Sequence, residues 1–366
     1  MSHINTYSPD YVIHPGEYLE EIIESRELKK GDLAKRCGLS DKQISQILGK
    51  HAAISSHTAL AFEKALGISA SVWNNLNAQY QLFQAKQAEK FKIEEHKEWM
   101  NKFPIKEMQK RKIIRETKDN SVIVNDLLTF FRVSSIDIWN DYYTKKAVNY
   151  RKSRAYSENL YATMTWLRLG EIQAEKIETR PFNTSLFKKN LSKIRTLTRE
   201  NPDVFEPAMI SLCAEAGAAL AFVPEFKKTH LSGATEWLPK NKALIVLSLR
   251  HKSDDHFWFS FFHEAGHILL HGKKEIYIDY AKKEHDIKEK EADKFACNIL
   301  IPEKEYKKFI EENKPDFYEQ TITRFGEEQG IAPGIITGML QHEGLIDYKW
   351  QNTLKRKFVF LEEIEA

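Results

Sequence analysis

Residues 259–271 read Phe259-Ser260-Phe261-Phe262-His263-Glu264-Ala265-Gly266-His267-Ile268-Leu269-Leu270-His271. On an α-helix, residues four apart stand one turn above each other, so His263 and His267 share a face and can grip one metal ion. Glu264 then lies beside the ion's open position. Zinc lowers the pKa of a bound water toward neutrality, and a carboxylate at that place can take its proton as a peptide carbonyl is attacked. Chance alone produces His-Glu-x-x-His in a chain of this histidine and glutamate content on the order of a few per cent of the time. Context is therefore needed. Phe257, Trp258, Phe259, Phe261, Phe262 and the run 268–270 surround the motif with apolar bulk and predict a buried helix. Burying two imidazoles and a carboxylate without partners costs on the order of several kcal/mol. A shared metal is the simplest partner, and zinc is the expected cofactor. The rival account is a pair of histidines hydrogen-bonded in a metal-free core.

A third protein ligand leaves the fourth tetrahedral position for water. Downstream, Glu289-Lys290-Glu291-Ala292-Asp293 sets two acids four apart on one helical face. This suits Glu289 as ligand and Asp293 as the acceptor that orients an imidazole. Glu291 falls about 200° around that helix and points elsewhere. His271, one further turn along the first helix, competes with Glu289, although three ligands on one helix are awkward. His285 is a weaker rival. Tyr277, Tyr280 and His285 are the nearby groups able to steady an oxyanion, and nothing local selects among them.

Upstream of the motif, residues 219–223 and 243–249 read as short strands, separated by turn-rich Ser232-Gly233 and Leu238-Pro239-Lys240. Residues 121–170 form a helical block whose Leu127, Phe131, Ile136, Trp139 and Trp166 supply a small core. Residues 86–115 carry ten Lys or Arg and five Glu, which predicts a solvated helical connector broken near Pro104. Residues 13–82 read as five short helices punctuated by Gly31, Gly38, Gly49 and Gly67. The expected organisation is a five-helix domain at 1–82, a helical middle segment at 83–180, a third domain with a small β-sheet at 181–350, and a tail at 351–366. The fold class is mostly α, of α+β type.

Within the first domain, residues 33–37 predict a helix that ends at Gly38, and Ser40 caps a second helix after a tight turn. That is a helix-turn-helix. Ile44, Ile47 and Leu48 turn inward, leaving Ser40, Lys42, Gln43, Ser45 and Gln46 for DNA. Gln43 and Gln46 suit adenine edges, while Lys42 and Lys50 suit phosphates. Residues 26–50 hold seven Lys or Arg against three acids, a local electrostatic footprint, although residues 17–24 before it hold four glutamates.

His14-Pro15-Gly16-Glu17-Tyr18-Leu19, Gly38-Leu39-Ser40, Gly49-Lys50, Lys64-Ala65-Leu66-Gly67 and Trp73-Asn74-Asn75-Leu76-Asn77 closely resemble the HigA antitoxins of the XRE helix-turn-helix superfamily. The resemblance spans residues 13–82. It implies a domain that dimerises and represses its own operon, in a protein that neutralises a small ribonuclease toxin. The 259–271 stretch, Glu289 to Asp293, Phe295-Ala296 and Ile299-Leu300-Ile301-Pro302 resemble the ImmA/IrrE metallopeptidases, over about residues 185–346. That resemblance implies a zincin-like domain in which His263, His267 and Glu289 bind zinc and Glu264 is the catalytic base. Asp293 stands where that family usually has asparagine, which makes the pair look like the ExxxD of thermolysin-like enzymes. Members often cleave a repressor or another dedicated regulator.

With 42% hydrophobic and 29% charged residues the chain has an ordinary globular composition. The longest strongly apolar run, 257–270, is too short and too polar to cross a bilayer, for which roughly 20 residues are needed. Residues 1–10 lack the pattern of a secretory signal, and Cys37, Cys213 and Cys297 form neither a disulfide framework nor a thiolate zinc site. A cytoplasmic location without membrane partners is expected. The leading functional reading is a DNA-binding transcriptional regulator with a zinc-dependent endopeptidase that cleaves a partner regulator or itself. Its competitor is a non-catalytic antitoxin and autorepressor, binding a toxin and using the zincin-like fold as scaffold or sensor. A homodimer is expected, since one helix-turn-helix reads a half-site.

Overall fold

The computed structural model describes residues 12–360 apart from 92, 149–159, 228, 240, 273–276 and 281–286. The chain forms two compact units, Met1–Lys97 and Glu98–Ala366.

The first unit holds α1 (Pro15–Ser25), α2 (Lys30–Cys37), α3 (Asp41–Leu48), α4 (Ser56–Leu66) and α5 (Ala70–Phe91), with α6 (Ile93–Met100) running across the division. Local chemistry sets the ends. Pro15 opens α1 behind His14, whose Nδ1 accepts from the Gly16 amide. α2 stops at Gly38, φ 67°, a conformation a side chain resists. Ser55 caps α4 by accepting from the Thr58 amide. Ile44, Ile47 and Leu48 are buried with Leu33, Phe62 and Trp73, so the inward face expected of the second helix is the one observed.

The second unit begins with α7 (Ile105–Lys110), α8 (Asn120–Phe131), α9 (Ile136–Val148), α10 (Leu160–Lys176), α11 (Thr184–Thr196) and α12 (Pro202–Glu215). β1 (Ala218–Phe222), β2 (Leu231–Leu238) and β3 (Lys242–Leu247) follow, then α13 (Asp254–Leu270), β4 (Tyr277–Tyr280), α14 (Ile287–Leu300), α15 (Glu303–Asn313), α16 (Glu319–Gln329) and α17 (Pro333–His342). Among the described residues the sheet order is β1-β3-β2-β4, with β1 parallel to β3 and the other pairs antiparallel. Ala218, Leu220, Ile245 and Leu247 face a core shared with α13, whereas Ala219, Ala221, Leu244 and Val246 face one shared with the middle helices. Burial on both faces explains why these strands read as unbroken apolar runs.

Three expectations are corrected. Ser232-Gly233 is not a turn between strands: it lies inside β2, where pairing with β3 and β4 overrides its turn chemistry. The charged stretch 86–115 is no solvated connector throughout, because Trp99, Met100, Phe103, Met108 and Ile114 are buried beside Trp139. Lys97, Lys102, Lys106, Lys110 and Lys112 are exposed and mask that apolar stripe in a simple charge count. The residues just past 350 do not trail away. Phe358 is buried in the α13 core, and Lys357 bridges to Ser253. The middle helices also reach the sheet through ions: Lys146 Nζ lies 2.7 Å from Glu236 Oε1 on β2 and pairs with Glu171, which Arg168 also holds. Each charge has a partner, as burial demands.

Candidate metal centre and helix-turn-helix

α13 is fixed at its first turn. Lys355 Nζ lies 2.6 Å from Asp255 Oδ2, and Arg356 Nε lies 3.3 Å from Asp254 Oδ2. Arg356 also donates to the carbonyls of Thr198, Arg199 and Glu200. Further along, Gly266 lets α14 come close, since a Cβ there would stand 3.2 Å from the Ala292 Cα and 3.1 Å from Phe295 Cδ1. Ala292 lies one turn past Glu289 and just before Asp293 on α14, and with the helix this close both acids reach His263.

The result is a convergent donor set. His263 Nε2 and His267 Nε2 lie 3.0 Å apart. Glu289 Oε2 is 3.3 Å from the first and Glu289 Oε1 is 3.6 Å from the second. One ligand atom from each residue falls within 4.8 Å of the others. A tetrahedral ion with bonds of about 2.1 Å holds its ligand atoms about 3.4 Å apart. Two imidazole nitrogens and the Glu289 carboxylate, offering a different oxygen to each ring, therefore fit zinc. Both imidazoles are buried and the Glu289 side chain is 15% exposed. On the far side of His263, Asp293 Oδ1 is 2.8 Å from Nδ1, which suits a carboxylate that orients the ring.

Glu264 is 0% exposed. It packs against β2 so closely that a Cβ on Gly233 would stand 2.7 Å from Glu264 Oε1 and 2.8 Å from Glu264 Cγ. The glycine read as a turn signal is what lets this strand lie against the carboxylate.

Not every expected residue joins the donor set. α13 ends at Leu270, and His271 leaves it in extended backbone, φ −115° and ψ 162°. It does not continue the helical stack as the competing ligand was expected to. Instead His271 Nδ1 lies 2.9 Å from His267 Nδ1, and His271 Nε2 lies 3.1 Å from Glu291 Oε2. Glu291 is not among the convergent ligands and contacts His271 instead, which its spacing on α14 does not reveal. His285 lies outside the described residues, as do the side chains of Tyr277 and Tyr280.

In the first unit, Ser40, Lys42, Gln43, Ser45 and Gln46 are all exposed on α3 or at its cap. Gln43 is already engaged: its Oε1 accepts from the Ser40 amide at 2.9 Å while Ser40 Oγ accepts from the Gln43 amide. This reciprocal capping box was legible as Ser-x-x-Gln. Lys50 is not loose either, because it pairs with Glu17 and holds that carboxyl below its ordinary range. Contacting a phosphate would require Lys50 to leave Glu17.

Comparison with known proteins places these features. Residues 217–329 match the family model described as the IrrE N-terminal-like domain, Peptidase_M78. The N-terminal region is similar to an addiction module antidote protein of the HigA family from Coxiella burnetii, with 32% identity, 23% of this chain and 91% of that one covered, and a TM-score of 0.21. It is also similar to an antidote protein of a plasmid maintenance system from Nostoc punctiforme, with 28% identity, 23% and 92% coverage, and a TM-score of 0.23. A Pseudomonas aeruginosa protein solved in complex with its operator DNA shares 28% identity over 24% of this chain and 94% of that one, with a TM-score of 0.23. The first of these relations rests on shared sequence over nearly the whole length of a short protein. No curated protein matches the chain.

Proposed function

We propose, from the premise that the N-terminal region of this chain belongs to the HigA family and that residues 217–329 form an IrrE N-terminal-like domain, that the protein is an operator-binding regulator carrying a zinc-dependent endopeptidase. The observation that carries the enzymatic half is the convergence of His263 Nε2, His267 Nε2 and the Glu289 carboxylate, with Glu264, next in sequence to His263, buried against Gly233 of β2. Bound there, zinc would polarise the scissile carbonyl and ease deprotonation of water. His263, His267 and Glu289 would hold the ion. Asp293 steadies the His263 ring through Nδ1. Glu264, confined by β2, takes the proton of the attacking water on a carboxylate oxygen and returns it to the departing amine nitrogen. The substrate class is a polypeptide, a partner regulator or the chain itself.

The DNA half rests on the exposed face of α3 and on the relation to the antidote proteins. In this reading Gln46, Ser45 and Lys42 meet the operator and two copies span its half-sites. No helix of the described residues is long and apolar enough to cross a membrane. A second reading has one specific observation in its favour. Complete burial of Glu264 suits a scaffold or sensor without turnover, in an antitoxin that binds a toxin partner.

The experiment is Glu264→Gln in the full chain. Zinc content should stay at one equivalent and cleavage of the co-expressed partner or of the chain itself should stop. Equal proteolysis by both proteins would sink the enzymatic reading, and absence of proteolysis in the zinc-loaded parent, with operator binding intact, would favour the scaffold.

A further inference from the structure

The two histidines of the donor set are backed differently. His263 meets a carboxylate directly, whereas His267 meets a second imidazole. A metal site needs the Nε2 lone pair of His267, so the proton of the neutral ring has to sit on Nδ1 and requires an acceptor. His271 is such an acceptor only when its own proton is on Nε2. Glu291, as a carboxylate, offers acceptors alone and lies 3.1 Å from that Nε2. With a metal held, the protons would be ordered from the outside inward: His271 Nε2–H would donate to Glu291, His267 Nδ1–H would donate to His271, and His267 Nε2 would turn its lone pair to the metal.

We propose that His271 and Glu291 are positioning residues forming a relay that fixes the tautomer and orientation of His267 and so sets the metal affinity of this site. The relay rests on the reading of His263, His267 and Glu289 as metal ligands. Its geometry is favourable: the His271 side chain is 3% exposed, wedged where the chain turns out of α13, so the ring cannot swing freely. Glu291 is 55% exposed, so its contribution is the weaker of the two. The same arrangement explains why a histidine four residues past His267 is no ligand. Its Nδ1 is spent on the back of the His267 ring.

The test uses the full chain and zinc competition against a chelating indicator. His271→Leu is expected to weaken zinc binding about 10–100-fold. Glu291→Gln should weaken it less. The double variant should be no worse than His271→Leu, because both act through one contact. His271→Gln, which keeps an acceptor oxygen, should recover part of the affinity. Cobalt-loaded parent and His271→Leu should give the same visible absorption intensity, as the number of ligands is unchanged. Unaltered zinc affinity in His271→Leu overturns the relay. So do additive effects in the double variant, or a cobalt spectrum that reports a lost ligand. Failure of the parent itself to bind zinc, with His263→Ala no different, overturns the metal-centre reading and the relay with it. If His271→Leu does not melt cooperatively by circular dichroism, Glu291→Gln on its exposed side chain decides, and unchanged affinity there counts against the proposal.

Discussion

Gly233 shows how much one missing methyl can decide. As a strand residue it weakens β2, yet any Cβ at that place would press into the Glu264 carboxylate from less than 3 Å. Gly233→Ala is therefore expected to turn the base away while leaving His263, His267 and Glu289 in place. Zinc content should stay near one equivalent and the turnover of a peptidase substrate should fall about 100-fold, the scale of a displacement of about 1 Å at a reacting group. Zinc loss in that variant would mean that β2 supports the ligands rather than the base. Cys297 illustrates the opposite case. Burial first, then the charges of Asp293 and Glu343, push its thiol up to about 11, so it stays a poorly reactive thiol at neutral pH.

At the scale of the element, α3 carries two demands on the same few residues. Ser40 and Gln43 close its N-terminus reciprocally, and Ser40→Ala should lower the stability of the first unit by about 1 kcal/mol, read as a drop in its thermal midpoint. Gln46 has no capping duty. In the proposed operator complex Gln46→Ala should cost about 1–3 kcal/mol and relax the preference at one base pair, whereas Lys42→Ala should weaken all sequences alike and reduce the salt dependence. Operator titrations at two salt concentrations separate these outcomes. Equal loss on all sequences for Gln46→Ala would remove it from base reading.

For the whole second unit, the 352–358 segment closes a circuit from the chain end to the start of α13. Burial pushes the Asp255 carboxyl up, but His256, Lys355 and Ser253 outweigh it and hold it below its ordinary value of 3.8. A depressed carboxyl contributes stability above its unfolded pKa and loses it as pH falls through the lower folded value. Lys355→Met should thus cost about 3–5 kcal/mol at pH 7, the scale for breaking a buried pair. The gap between variant and parent should shrink as pH falls, beginning where Asp255, no longer held down by Lys355, takes up a proton in the variant. Urea midpoints from pH 7 to pH 3 check this, and a gap independent of pH would assign Lys355 to packing alone. Deleting residues from 351 onward, which also removes Arg356 and Phe358, should prevent cooperative unfolding of the second unit.

Spacing along one helix is a local property, and so the His263 and His267 pair, the Glu289 and Asp293 pair, the five N-terminal helices and strands β1 and β3 could be read from residues alone. Periods of four on a helix and unbroken apolar runs in a doubly covered sheet survive whatever the rest of the chain does. The β2 strand, the buried stripe at Trp99 and Phe103, the anchoring of α13 by Lys355 and Arg356, and the chain from His267 through His271 to Glu291 could not. The His271–Glu291 contact and the anchors of α13 join residues from 20 to 102 apart in sequence. Only close packing, at Gly233 against Glu264 and at Gly266 against Ala292, determines which of the many polar side chains meet.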